Sequence, residues 1–338
     1  MIKIVVDTLG GDNSPQANVE GAVKAIKEID DLNLILMGNS DDIYAELGKF
    51  KGQYDTSKLS IFNAPDEIGC NDKPTDAIRY KTNSSLYQAI KMLKENDDIN
   101  AFVTSGSTGA VIAGAVLKLG RIRGIKRPAL CPIMPTLSGG MVAVCDSGAN
   151  VECDSLNLHQ FAIMASLYMQ KACNIEKPKV ALLNVGTEEE KGDRIRKETY
   201  ELLKNDERIN FAGNMESRDL LSGDYDVVIA DGFSGNVLLK STEGTCLSML
   251  KMLKATMAKS VKSKLGALLL KKDLMELKKF MDYNNYGGAV LLGCSKTVVK
   301  AHGSSKANSI YHSICLAYNV EKNKLREEIE ESLNVSEE

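Results

Sequence analysis

The residues able to do chemistry in this sequence gather where short apolar runs stop. At Asp226–Asn236 the chain reads D-V-V-I-A-D-G-F-S-G-N. Val227–Ala230 has the β-branched, apolar character of a buried strand. It stops at Asp231-Gly232, and Ser234 or Asn236 is placed to cap a helix that begins near Val237. A strand that ends in polar, glycine-rich residues ahead of a helix leaves free N–H groups at the positive end of the helix dipole. That is the chemistry of anion binding. A single turn of this kind is ordinary, but the device recurs along the chain. Gly10-Gly11-Asp12 follows the strand Met1–Asp7, and Ser105-Gly106-Ser107-Thr108-Gly109 follows the strand Asn100–Thr104. Asp146 leads into Ser147-Gly148-Ala149-Asn150, and Asn184 opens a loop that contains Lys191. His302-Gly303-Ser304-Ser305 closes a last strand, which makes His302 the histidine best placed to move a proton.

The Ser105–Gly109 loop is the strongest phosphate candidate, since N–H and O–H groups can hold an anion together. It is not a Walker A loop, because no G-K-[ST] ends it, and no G-x-G-x-x-G occurs in the chain. Arg79 and Lys81 precede Thr82-Asn83-Ser84-Ser85 and a helix over Leu86–Leu93, a setting that suits a phosphate or an acidic partner. Arg121, Arg123 and Lys126 lie on a basic connector. His159 sits between apolar neighbours and reads as a packing residue. Residues 245–283 form a lysine-rich helical hairpin with Leu268-Leu269-Leu270 in its middle. That pattern suits an anionic membrane surface, and equally a hairpin that packs against a core or a second subunit with its basic face in water.

The elements that must position these loops are strands alternating with helices. Met1–Asp7, a helix Gln16–Ile29 and Leu32–Met37 make a βα unit, and the pattern repeats, which predicts an α/β fold with a mostly parallel sheet. Ligands then belong at the carboxyl ends of strands. The 338 residues, 43% hydrophobic and 26% charged, are enough for a large core. A net charge of −3 and the absence of tryptophan argue against a nucleic-acid binder. The eight cysteines form no C-x-x-C pair, and with only three histidines no metal site is expected; the cysteines read as small core residues. The chain opens on a strand without a basic-then-apolar leader, so a cytoplasmic location is expected.

Taken in order, these segments resemble the bacterial acyl-ACP:phosphate acyltransferases, the PlsX family of phospholipid synthesis. The resemblance runs through D-T-L-G-G-D-N-S-P at Asp7–Pro15, R-Y-K-T-N-S-S at Arg79–Ser85 and T-S-G-S-T-G-A at Thr104–Ala110. It continues through G-I-K-R-P-A at Gly124–Ala129, D-S-G-A-N at Asp146–Asn150 and N-V-G-T-E-E-E-K-G at Asn184–Gly192. It ends in G-N-M-E-S-R-D at Gly213–Asp219, D-G-F-S-G-N-V-L-L-K at Asp231–Lys240, Y-G-G-A-V-L-L-G at Tyr286–Gly293 and A-H-G-S-S at Ala301–Ser305. Thr8-Leu9 replaces the usual Ala-Met, and Ser107 a common Asn. The resemblance implies a three-layer α/β/α fold like the isocitrate/isopropylmalate dehydrogenases and phosphotransacetylases, a single domain over 1–338, a homodimer and peripheral contact with the cytoplasmic membrane. It implies transfer of a fatty acyl group from acyl carrier protein (ACP) to inorganic phosphate, without cofactor.

Phosphate is itself a nucleophile, so such a site needs only to hold it against the thioester, stabilise the oxyanion and help the thiolate leave. On this reading Gly10–Asp12 and Ser105–Gly109 cradle phosphate, and Lys81 or Lys191 balances its charge. Asn184, Asn236 or the Gly235 N–H supplies oxyanion donors, Asp231 orients a cation, and His302 moves a proton. Arg79, Arg121, Arg123 and Lys126 receive the acidic carrier. The competing readings are a phosphotransacetylase-like enzyme using acyl-CoA, a dehydrogenase on the same fold and a membrane-surface scaffold.

Overall fold

The structure, a computed structural model, describes residues 1–69, 71–280 and 287–334. Cys70 and Tyr286, the first residue of the Tyr286–Gly293 segment, lie outside the described residues, as does the end of the expected hairpin. The strands are β1 (Ile2–Asp7), β2 (Leu32–Gly38), β3 (Leu59–Asn63), β4 (Ala101–Thr104), β5 (Ala129–Pro135), β6 (Met141–Cys145), β7 (Val180–Leu183), β8 (Phe211–Met215), β9 (Val227–Ile229), β10 (Ala289–Leu292) and β11 (Thr297–Lys300). They form one sheet in the order β3-β2-β1-β4-β11-β10-β5-β6-β9-β7-β8. The helices are α1 (Gln16–Glu28), α2 (Ser40–Gly48), α3 (Pro74–Tyr80), α4 (Ser85–Glu95), α5 (Thr108–Gly114), α6 (Ser155–Cys173), α7 (Arg194–Lys204), α8 (Gly232–Met257), α9 (Val261–Leu269), α10 (Lys271–Phe280), α11 (Ala307–Lys322) and α12 (Leu325–Asn334).

The sheet is buried on both faces, as its near-continuous apolar strands require. Successive side chains of a strand point to opposite faces. Ile4 and Val6 therefore join a core with α1, α6, α11 and α12, whereas Val5 and Phe102 join another with α3, α4 and α5. Val142, Val144 and Val228 pack on Leu238 and Leu239 of α8. Helices thus lie on both sides, giving the three expected layers.

Sheet direction decides where the loops meet. β3, β2, β1, β4 and β11 are mutually parallel, and so are β6, β9, β7 and β8. Between the blocks the β11–β10, β10–β5 and β5–β6 pairs are all antiparallel, so the blocks run in opposite directions. Register then sets their heights. Lys300, the last residue of β11, faces Ala289, which faces Pro132. From the other side Ile133 faces Ala143, so β6 ends two residues later beside the same stretch of β5. The blocks end at nearly one level from opposite directions. Their carboxyl-end loops meet at a step in the middle of the sheet.

Two buried carboxylates pin that step. Asp7, at the end of β1, accepts hydrogen bonds from the Ser85 hydroxyl (2.7 Å), the Thr104 hydroxyl (2.7 Å) and the Leu9 N–H (3.0 Å). Asp146, just past β6, accepts from the backbone N–H groups of Leu130 (2.8 Å), Ala149 (3.1 Å) and Asn150 (2.6 Å) and from the Asn150 amide (2.9 Å). Burial pushes the Asp146 carboxyl above its usual value, against the pull of these donors.

The expected start of α8 is corrected. The helix begins at Gly232, not near Val237, because Asp231 is its N-cap and accepts from the Ser234 N–H (2.8 Å). Ser234 and Asn236 therefore lie inside its first turns rather than capping it. β8 begins at Phe211, and ahead of it Arg208 pairs with Asp206 at 2.6 Å. Beyond Leu239 no residue of α8 is buried, and none of α9 is, so α8, α9 and α10 project as the expected hairpin. His159 ties α6 to Asp206 at 2.7 Å, a packing role. Cys131, Cys145 and Cys294 are core residues, while Cys153, Cys173, Cys246 and Cys315 are half-buried.

Replacing Asp7 with Ala leaves Ser85, Thr104 and the Leu9 N–H without their acceptor, a loss of about 3 kcal/mol. The unfolding midpoint in urea should fall accordingly; an unmoved midpoint would show that the carboxylate does not pin the step.

Candidate functional site

At the step lies a cleft of about 360 Å³. Thr108 and Gly109 reach it from the loop after β4, and Ser147 and Gly148 from the loop after β6. Asn236, Lys240 and Glu243 come from α8, while Lys300 and His302 come from the end of β11. Leu130 and Pro132–Met134 of β5 and Ala289 of β10 supply its apolar wall. Both blocks therefore contribute, as the register requires.

Glycine makes this closeness possible. A Cβ on Gly10 would stand 2.4 Å from the Gly106 backbone N, and one on Gly235 would stand 1.9 Å from the Asp146 carbonyl oxygen. Neither position admits a side chain without moving backbone. The first contact knits the loops after β1 and β4, and the second seats α8 against the loop after β6. Asp12 N–H donates to the Gly303 oxygen (2.8 Å), and the Ser105 hydroxyl bonds the Gly10 oxygen, which completes the first knot.

The structure separates the expected site residues into groups. Thr108, Gly109, Asn236 and His302 line the cleft together. Gly10, Gly11, Asp12, Ser105 and Gly106 form the knot beside it, with Ser105 itself buried, and Ser107 is the residue before α5. Asp231 caps α8 and pairs with Arg196, so the cation it orients is that guanidinium. Burial alone would push the Asp231 carboxyl up, but the Ser234 donors and Arg196 outweigh it and hold the carboxyl below its usual value. Asn184 and Lys191 do not line the cleft. The Asn184 amide donates to the Lys191 oxygen (3.1 Å) and its carbonyl accepts from the Val185 N–H (2.8 Å), closing its own loop. Lys191 is exposed and stands 4.0 Å from Glu188. Lys81 is held by Asp72 (2.6 Å) and the Glu67 oxygen (3.2 Å), also outside the lining. Arg121 bonds the Lys126 oxygen and bridges Cys294, beyond the carboxyl end of β10, whereas the cleft is at its amino end. Arg79, Arg123 and Lys126 are exposed.

Sequence reasoning missed Lys240, Glu243 and Lys300. Lys240 follows Asn236 by four residues, hence on the same helix face, a spacing visible once α8 is known to start early. It pairs with Glu243 at 2.8 Å. Lys300 ends the fully buried T-V-V-K strand, where a cation is uncommon unless it is paired. Its ammonium bonds the backbone oxygens of Ser105 (3.4 Å) and Ala301. The His302 imidazole meets the Ser304 hydroxyl at 2.8 Å. Burial, then the charge of Lys240, holds that imidazole below its ordinary value. The cleft therefore holds two ammonium groups, one of them paired with the Glu243 carboxylate, hydroxyl and amide donors and an imidazole. That set has the chemistry to accept an anion and to pass a proton.

The family model described as fatty acid synthesis protein matches residues 2–327. The chain belongs to that family. It is 45% identical over 333 residues to the phosphate acyltransferase of Clostridioides difficile, covering 98% of this chain and 96% of the relative. It is 46% identical over 315 residues to the phosphate acyltransferase of Bacillus cereus strain B4264, with 93% and 92% covered. Among solved structures, a phosphotransacetylase from Streptococcus pyogenes superposes with a TM-score of 0.61 at 17% identity, over 95% of this chain and 94% of that one. The EutD phosphotransacetylase from Staphylococcus aureus gives 0.59 at 16% identity, over 94% of both chains. These last likenesses establish a shared α/β fold. The family and its curated relatives make this chain an acyltransferase.

His302 should titrate below the ordinary value of about 6.5. Because its folded value is depressed, the neutral ring stabilises the fold above the unfolded value, and that contribution is lost as pH falls through the folded one. In Lys240→Ala the repulsion is gone, and the midpoint followed by NMR should rise. A midpoint that stays put or drops would show that Lys240 does not face the ring.

Proposed function

We propose that this protein transfers a fatty acyl group from the thioester of acyl carrier protein to inorganic phosphate, forming an acyl phosphate for phospholipid synthesis. A phosphate oxygen attacks the thioester carbonyl carbon, and the carbon–sulfur bond breaks. The proton released by phosphate goes to the departing thiolate, so free carrier thiol is the second product. The observation that carries this reading is the placement of Lys240 and Lys300 around Thr108, Asn236 and His302 in one cleft, in a chain whose relatives at 45% identity are phosphate acyltransferases.

The two lysines neutralise phosphate, and Thr108 and the Gly109 N–H donate to its oxygens. Asn236 and the backbone around Ser147-Gly148 stand across the cleft, where they serve the oxyanion that develops on the acyl carbonyl. His302, neutral near pH 7, takes the phosphate proton and delivers it to sulfur. The knot at Gly10–Asp12 and Ser105–Gly106 supports these groups without touching the reacting atoms. Lys81, Lys191 and Asn184 act through the surrounding loops or through a partner surface. Arg79, Arg121, Arg123 and Lys126 are exposed cations offered to the acidic carrier, with Arg121 at the end of β10 away from the cleft.

The reading extends to a homodimer working at the membrane. Val151, Phe233 and Val185 follow the carboxyl ends of the adjacent strands β6, β9 and β7 and are exposed, an apolar patch suited to a second copy. No helix among the described residues is long and apolar enough to cross a membrane. The hairpin instead presents Leu268, Leu269 and Leu270, 66%, 79% and 47% exposed, among Lys262, Lys264, Lys271 and Lys272, which suits an anionic bilayer surface. The whole chain is read as one functional unit, placed in the cytoplasm against that surface.

The deciding experiment is detection of acyl phosphate from purified protein, phosphate and long-chain acyl-ACP, run beside the matching acyl-CoA. Formation from the carrier thioester supports the reading; formation from CoA alone would replace it with a phosphotransacetylase, and no mixed anhydride from either would sink it. Within that assay Lys240→Ala should raise the KM for phosphate about tenfold or more, the worth of one charged hydrogen bond. An unchanged KM would remove Lys240 from the phosphate site. Exchanging Leu268, Leu269 and Leu270 for serine should abolish co-sedimentation with anionic liposomes while leaving the soluble assay intact; undiminished binding would count against the membrane role.

A further inference from the structure

A second cavity of about 350 Å³ opens off the cleft, and Met134 and Glu243 line both. Its character is different. Beyond that shared doorway its wall is apolar: Leu137, Leu221, Cys246, Leu250, Leu253 and Leu277. Three parts of the fold build it. The β5–β6 turn brings Leu137, the segment before β9 brings Leu221, and α8 with α10 brings the rest. Exposed leucines around an open apolar groove are costly in water unless something covers them.

We propose that this groove holds the acyl chain of the thioester substrate and that α8 measures its length. The inference rests on the acyl-transfer reading above and adds the subsite. Continuity with the cleft decides the occupant. The cleft gathers cations and hydrogen-bond donors at one end of α8, and the groove continues along the same helix. Glu243 marks the boundary: its carboxylate is engaged by Lys240 on the cleft side, while Cys246, Leu250 and Leu253 follow at one-turn spacing on the groove side. A ligand lying along both has a polar, reacting head at Lys240 and an unbranched apolar tail toward Leu253. From Glu243 to Leu253 the helix rises about 15 Å, the reach of a medium-length fatty acyl chain. Longer chains run out past Leu253 along the hairpin, whose α10 lines the groove through Leu277.

Blocking the groove at two depths tests this. Cys246→Trp fills it near the cleft, and Leu253→Trp fills it farther out. Acyl phosphate formation is measured with C8, C12 and C16 chains on the same carrier. Each methylene denied its place weakens binding by up to about fourfold. Leu253→Trp should therefore lower kcat/KM for C16 at least tenfold and leave C8 within twofold, whereas Cys246→Trp should depress C12 and C16 together. Leu137→Trp, at an exposed turn position 78% open to solvent, fills the groove without touching the core and should also disfavour C16. Equal losses at all three lengths, or no change in the profile, would overturn the assignment. So would a variant that alters only the oligomeric state, since the groove would then seat a second copy, or only vesicle binding, since it would then face lipid. Binding of a hexadecanoyl thioether analogue, which cannot transfer its chain, is read separately. If it binds and Leu253→Trp weakens it, the groove stands even where no acyl phosphate forms, and it is the reaction proposed above that fails; tight binding unaffected by the variant overturns the groove.

Discussion

The structure depends on a reversal in the middle of its sheet. Two parallel blocks run in opposite directions and end at nearly the same height, joined through β10 and β5. In an ordinary parallel sheet all carboxyl-end loops share one rim. Here two rims face each other, and loops far apart in sequence, such as those at Thr108, Ser147, Asn236 and His302, line one cleft. The step exposes polar backbone deep in the molecule, so it must be sealed. Asp7 and Asp146 do this in equivalent places, each a buried acceptor at the end of an inner strand of its block, filled by hydroxyl and N–H donors from neighbouring loops. Among the described residues neither makes an ion pair, and hydrogen bonding holds them.

Close packing of backbone on backbone then sets the chemistry. Gly10 against Gly106 and Gly235 against Asp146 bring loops together at distances no side chain would allow. The early start of α8, capped by Asp231, turns Asn236 and Lys240 to one face. The Asp231–Arg196 pair secures that cap from the α7 side, across two strand connections. From the cap outward, α8 changes role along its length: buried at Leu238 and Leu239, polar at Lys240 and Glu243, then apolar along the groove and exposed in the hairpin. One continuous helix thus runs from the cleft along the apolar groove into the exposed hairpin.

Much of this was legible in the residues. Glycine, serine and aspartate after each apolar run mark strand ends because only such residues make tight turns and satisfy loose N–H groups there. The alternation of strands and helices predicts the layered α/β arrangement, and the ordered segments from Asp7 to Ser305 resemble one family closely enough to imply its reaction. The lysine and leucine pattern after Gly244 predicts a hairpin, and one projects. Less legible was the boundary of α8, where Asp231, Ser234 and Asn236 are all competent caps and only packing selects the first. Lys300 and Lys240 carried no local motif, and Lys191, conspicuous in its loop, closes away from the cleft.

By itself the sequence determined which segments become strands and to which family the chain belongs, because those properties reside in local residue chemistry and in segment order. Only the tertiary structure decided which loops share a cleft. Strand direction and register at β10 and β5 are set by pairing between segments more than 140 residues apart, and no local pattern carries that information. The same register brings Lys300 beside Ser105 and leaves Asn184 bonded within its own loop.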